Sequence, residues 1–240
     1  MTVMLSLKQQ VALLYSKVAQ LPMNPILRYE WSRRDQRSIN ERPVEYAFAL
    51  TCLSELCPSS VLDAGAGTTA WPQVLANCGY EVTAVDEGES YWGHRPVNRH
   101  HHVLHDDITN PSIESKFDTI TCLSVIEHIQ DHEAAARGLR TLLNSGGHVI
   151  LSFPYNERRF IENVYALPGA SYGTDAPHIC RVYSRREIDN WLTQGFKIVR
   201  QEYYRVFTGE LWAFGERLSP PVRTGTNEPH HLSCVMLRAT

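Results

Sequence analysis

The sequence predicts an α/β fold, a doubly wound, mostly parallel sheet with helices on both faces. Three observations carry that prediction. Short apolar strands alternate with helices from residue 60 to residue 153. The strands are apolar nearly throughout, the mark of strands covered on both faces. And the first strand, Ser60-Val61-Leu62-Asp63, runs straight into the turn Ala64-Gly65-Ala66-Gly67, followed by a helix.

The elements follow in order. Val3, Leu7, Val11, Leu14, Val18 and Leu21 recur near helical spacing, so the first twenty residues predict an amphipathic helix that Pro22 and Pro25 end. A polar stretch, Arg28 to Arg42, follows, and Pro43 opens a second helix through Tyr46, Phe48 and Leu50. After the glycine turn, Pro72 lies in the first turn of the next helix. Glu81 to Asp86 predicts the second strand, His102 to Asp107 a weaker third and Phe117 to Ser124 the fourth. Asp131 caps a helix that stops at Asn144-Ser145-Gly146-Gly147, and His148 to Phe153 is the fifth strand. A long irregular stretch, Pro154 to Tyr183, precedes the capping box Ser184-Arg185-Arg186-Glu187 and its helix. Phe196 to Tyr203 and Leu232 to Leu237 predict the last two of seven strands. The connection between those two holds Pro220, Pro221 and Pro229 and reads as a loop.

Composition bounds the function. The chain has 240 residues, 43% hydrophobic and 20% charged, enough for one sizeable core. With 23 basic against 26 acidic side chains the net charge is −3, which gives no electrostatic reason to expect a nucleic-acid partner. Cys52, Cys57, Cys78, Cys122, Cys180 and Cys234 show no paired spacing. Neither a zinc site nor a disulfide framework is expected, which suits a reducing cytoplasm. Met1 to Leu7 lack a basic signal-peptide start, and no run of 18 apolar residues predicts a membrane span.

The chemistry concentrates at the first strand–helix junction. Gly65 and Gly67 let the backbone turn tightly and approach a ligand, and the next helix directs its first amides into the same space. Asp86 ends the second strand nineteen residues after Gly67, where a carboxylate can accept both hydroxyls of a ribose. Alone, the turn Gly65-Ala66-Gly67-Thr68-Thr69-Ala70 also fits the loosened dinucleotide pattern of a nicotinamide or flavin enzyme.

Four segments in order resemble the motifs of class I S-adenosylmethionine methyltransferases. Val61 through Thr68 resembles motif I, and Val85-Asp86 resembles motif II. Asp106-Asp107-Ile108 resembles the acidic adenine turn. Phe117-Asp118 through Ser124-Val125-Ile126-Glu127-His128-Ile129 resembles motif IV of the small-molecule branch, which includes the ubiquinone-biosynthesis O-methyltransferases. Leu142 to Pro154 resembles the segment along the fifth strand. The likeness covers about residues 58 to 155. It implies the seven-stranded, mostly parallel Rossmann-like sheet of that class, with N-terminal helices and inserted lid segments. A single domain over 1–240 is expected: a helical cap at 1–57, a cofactor-binding core at 58–155, and an acceptor-side insertion with the last strands at 156–240. It also implies S-adenosyl-L-methionine as cofactor. By the same resemblance, Asp63, Gly65 and Gly67 are expected to hold its amino-acid end, Asp86 its ribose and Asp107 its adenine amino group. Ile108 is expected to pack on the ring, and Ala64, Glu87 and Leu123 to complete the cofactor set. Thr69 stands where the family has a third glycine, and Ser124 where the quinone enzymes carry a metal-linked glutamate, so no metal ligand is expected.

Glu127 and His128 sit past the fourth strand, where the methyl group emerges in this family. His128 suits a base for the acceptor's proton, or a cap on the following helix. His100, His101, His102 and His105 predict a solvated loop rather than a metal site. Tyr155, Tyr165, Tyr172, His178, Tyr183, Tyr203, Tyr204, Phe207 and Trp212 follow the fifth strand, half of them as core and the rest as candidates for an acceptor pocket. The first helix, Tyr155 to Tyr183 and Tyr204 to His231 are expected to close over that pocket. The expected activity is methyl transfer to a small-molecule acceptor at oxygen or nitrogen, without nucleic acid or membrane. The alternatives are an NAD(P)-dependent oxidoreductase and a cofactor-binding protein without transfer activity.

Overall fold

The computed structural model describes residues 6–32, 39–88 and 98–240, except the side chains of residues 23 and 26–32. Two compact units result, Met1–Ile39 and Asn40–Thr240. The first contains α1 (Leu7–Ser32), in which Pro22 and Pro25 lie inside the helix instead of ending it. Each proline removes one i→i−4 bond, which a helix of 26 residues carries without stopping. Leu7, Val11, Leu14, Val18 and Leu21 of α1 are exposed. Val3, expected to begin the helix, lies outside the described residues.

The second unit is an eight-stranded sheet in the order β3-β2-β1-β4-β5-β8-β6-β7. Its strands are β1 (Ser60–Ala64), β2 (Glu81–Asp86), β3 (Val103–His105), β4 (Phe117–Leu123), β5 (Leu143–Pro154), β6 (Phe196–Phe207), β7 (Arg217–Thr224) and β8 (Leu232–Ala239). The first five pair in parallel, while β8 runs antiparallel to both β5 and β6, and β7 antiparallel to β6. Helices α2 (Arg42–Leu56) and α3 (Trp71–Asn77) share one core with one face of the sheet. Helices α4 (His132–Thr141) and α5 (Arg185–Thr193) share the core on the other face. Alternation along β8 feeds both cores: Cys234 and Met236 enter one, Val235 and Leu237 the other.

Two expectations need correction. Among the described residues the sheet has eight strands, not seven, because β7 occupies what reads as a loop. Its Pro220 and Pro221 argue against a central strand, but β7 is the sheet edge, where one row of amides needs no partner. And β5 begins at Leu143, so Asn144 to Gly147, expected as a helix stop, open a strand instead. The register slips between Phe117↔Leu143 and Thr119↔His148 to absorb the extra residues. The capping signals hold: Asp131 accepts from the Ala134 amide at 2.8 Å, and Glu187 accepts from the Ser184 amide at 3.0 Å.

Candidate cofactor and acceptor site

The site gathers where the sheet order reverses, at the carboxyl ends of β1 and β4, with β2 beside them. Val85 on β2 sets the turn by accepting from the amides of Gly65 at 2.9 Å and Ala66 at 3.1 Å. Gly65 has φ +80°, and a Cβ there would run into the Val125 methyl groups. Gly67, with φ +50°, donates its amide to Asp86 Oδ2 at 2.7 Å. Asn98 then ties the turn down, donating from Nδ2 to the carbonyls of Gly67 and Thr69, each at 2.9 Å.

Beside this turn Asp63 is 3% exposed. Its Oδ1 accepts from Thr121 Oγ1 at 2.8 Å, and Trp71 Nε1 donates to that hydroxyl at 3.2 Å. Asp63 Oδ2 is buried without a partner. Burial raises this carboxyl to about 7. A half-paired carboxyl beneath a glycine turn is what an ammonium-bearing ligand needs, so these residues fit the amino-acid end of S-adenosylmethionine.

Helix α2 closes the other side. Glu45 lies fully buried, on the same stripe as Phe48, Ala49, Cys52 and Leu53. It accepts from Ser152 Oγ at 2.8 Å and from Ser124 Oγ, and its other oxygen accepts from Arg42 Nη1 at 3.1 Å. Arg42 also donates to the Leu123 carbonyl at 3.0 Å, which fastens α2 to the end of β4. Tyr46 stacks on Trp71 with centroids 4.4 Å apart.

Past β4, the 3-10 turn Ile126–His128 carries the expected pair. The Glu127 carboxyl is 2% exposed, its Oε2 has no hydrogen-bond partner, and burial holds it well above the usual carboxylate range. His128 Nδ1 lies 2.7 Å from the Ile179 carbonyl, which can only accept, so Nδ1 carries the proton. Nε2 lies 3.7 Å from Glu127 Oε1. Burial lowers His128 to about 4, so the imidazole is neutral at physiological pH.

Residues 179–183 hold this turn from outside. Arg181, 1% exposed, donates its amide to the Glu127 carbonyl at 3.0 Å and its guanidinium to the carbonyls of Ile129 and Gln130 and to Glu162. Tyr183 Oη donates to the Ile126 carbonyl at 3.0 Å.

The structure thus brings Asp63, Ala64, Gly65, Gly67, Asp86, Leu123 and Glu127–His128 to the ends of β1, β2 and β4. Glu87 follows β2 directly and is half-buried. Asp107 and Ile108 lie two and three residues past β3, whose last residue, His105, pairs with Asp86. The exposed Asp107 carboxylate accepts from the Thr109 amide at 2.8 Å and its hydroxyl at 2.7 Å, while Ile108 is buried in the core. Asp106 anchors the loop that follows β3. Burial opposes its ionisation, but bonds from Ser112, Ile113 and Asp107 outweigh that and hold it below the usual range. His100, His102 and His105 are exposed and His101 half-buried. Tyr155, Tyr183, Tyr203, Tyr204, Phe207 and Trp212 are core. Sequence reasoning missed Arg42, Glu45, Asn98 and Arg181. One signal existed for Glu45, a charge on the buried stripe of an apolar helix.

Comparison with known proteins gives the family. A family model described as a methyltransferase domain matches residues 32–201. A ubiquinone biosynthesis O-methyltransferase of Alkalilimnicola ehrlichii is 28% identical over 177 residues, 66% of this chain and 68% of that protein. One from Xanthomonas euvesicatoria is 31% identical over 117 residues, 46% of this chain and 48% of that protein. Among solved structures, the 1,6-didemethyltoxoflavin-N1-methyltransferase of Burkholderia thailandensis shares the fold, with TM-score 0.54 and 18% identity, covering 100% of this chain and 93% of that one. The oxidoreductase alternative therefore falls away: the chain belongs to the methyltransferase-domain family and is a class I enzyme whose cofactor is S-adenosylmethionine.

Proposed function

We propose that the protein methylates an oxygen or nitrogen of a small-molecule acceptor, and that His128 receives the acceptor's proton. The cofactor supplies a methyl group already activated on a sulfonium sulfur. What remains for the chain is to hold, orient and deprotonate. Asp63, Gly65 and Gly67 take the amino-acid end, Asp86 the ribose, and Asp107 with Ile108 the adenine. Ala64, Glu87 and Leu123 line the same end of the sheet.

His128 Nε2 is the proton acceptor, because Nδ1 is committed to Ile179. A base near 4 is weak, yet it suffices. An oxygen that gains a methyl group while keeping its proton is a strong acid, so the proton moves as the bond forms. The imidazolium that forms favours ionisation of the buried Glu127 carboxyl, whose Oε1 lies 3.7 Å from Nε2. The negative net charge supports a small molecule over a nucleic acid, and six free thiols suit a reducing cytoplasm.

The observation that carries the cofactor half is the buried, half-paired Asp63 beside the glycine turn. Titration calorimetry with S-adenosylhomocysteine and, separately, NADH tests it. Saturable binding of the first and none of the second is expected; the reverse would overturn the reading.

A further inference from the structure

We infer that the acceptor carries an oxyanion, a carboxylate or phosphate, and that Arg217 receives it. This rests on the methyl-transfer reading above and adds the class of acceptor. Arg217 opens β7, opposite Phe207 of β6, and its side chain is only 15% exposed. Its guanidinium lies over two aromatic faces, 4.3 Å from the Tyr172 centroid and 5.4 Å from that of Phe207. Nη1 donates to Glu41 at 2.9 Å, while Nη2 is buried with no hydrogen-bond partner. An enclosed guanidinium N–H left unmade is costly, and an oxyanion is the partner that a forked donor matches best.

Glu41 is an incomplete counterion. Burial, and then the nearby Glu45 charge, disfavour its ionised form. A second anion against Arg217 therefore meets a cation that its neighbour does not fully neutralise.

Arg217 also connects to the proposed base by a continuous aromatic wall. Tyr172 meets Tyr165 edge-on at 6.2 Å, Tyr165 meets His178 at 6.2 Å, and His178 meets His128 edge-on at 4.7 Å. Gly173 keeps this wall close, since a Cβ there would collide with the Tyr165 ring. The wall suits a flat acceptor body with its nucleophile toward His128 and its anion toward Arg217.

The test uses the full chain, labelled S-adenosylmethionine and a metabolite extract split on an anion exchanger into retained and unretained fractions. Wild type is expected to label product from the retained fraction. Arg217→Met should reduce that labelling about tenfold or more with affinity for S-adenosylhomocysteine unchanged, and Arg217→Lys should keep part of it, since a point charge replaces a fork. Glu41→Gln, which removes the competing carboxylate, should raise it. Label from the unretained fraction alone overturns the inference and leaves the methyl-transfer reading standing. Wild-type labelling of the retained fraction by Arg217→Met also overturns it, as does a fall in Glu41→Gln should Arg217→Met not fold. No label from either fraction overturns the methyl-transfer reading itself.

Discussion

The two halves of the site are built differently. The proposed cofactor half is framed by a local backbone turn between β1 and α3 and by the end of β2, where the Gly67 amide finds Asp86, and Asp63 within it reaches farther, to Thr121, 58 residues on. The proposed acceptor half is made by side chains meeting across long separations. His128 binds the Ile179 carbonyl, Arg181 spans to Ile129 and Gln130, and Arg217 reaches Glu41, 176 residues away. A site made of backbone is written in contiguous residues. A site made of long-range side-chain contacts is not.

The largest effect is expected where backbone geometry is strictest. Gly65→Ala needs φ +80° and displaces Val125, so it should cost about 2–5 kcal/mol of stability and abolish cofactor binding. Val125→Ala should recover only the steric part, read from melting curves of the single and double variants.

In the proposed acceptor half, Arg181→Met leaves a buried position without the donors to the Ile129 and Gln130 carbonyls and should cost about 1–3 kcal/mol in urea unfolding. Affinity for S-adenosylhomocysteine should change little in the folded variant. An equal loss of cofactor affinity would show that the halves are one unit.

Asp86→Ala removes the proposed ribose acceptor and the Gly67 amide's partner together, and calorimetry should show affinity weakened by about 1–3 kcal/mol. Unchanged affinity would remove Asp86 from the cofactor half.

A smaller, pH-dependent effect belongs to Asp63. Its folded value, about 7, lies above the ordinary 3.8, so the folded protein holds a proton there that the unfolded chain has lost. The stability contribution is therefore present at low pH and is lost as pH rises through about 7. A cationic ligand end prefers ionised Asp63, so cofactor affinity should rise across the same window, with proton release detectable in buffers of different ionisation enthalpy. Asp63→Asn should flatten the profile.

The legibility of the molecule follows the same division. The order of β1 to β5, the glycine turn, Asp86 and both capping signals could be read from the sequence because each is local. β7 could not, because Pro220 and Pro221 argue against a strand until its edge position is known. Glu45 was legible only in part: its place on a buried stripe is periodic, but Ser124 and Ser152, its partners, are 79 and 107 residues away. Arg181 gave no local sign, since its carbonyl partners lie about fifty residues upstream.

The central claim, that a backbone-built half binds the cofactor while a side-chain-built half performs the transfer, is tested most directly by measuring two variants in the labelled-methyl assay. Asp86→Ala should bind S-adenosylhomocysteine weakly yet approach wild-type turnover at saturating S-adenosylmethionine. His128→Ala should bind it like wild type yet lose turnover by about 100-fold, the scale of a missing proton acceptor. If His128→Ala keeps its turnover, or loses cofactor affinity in step with it, the division of labour drawn here is wrong.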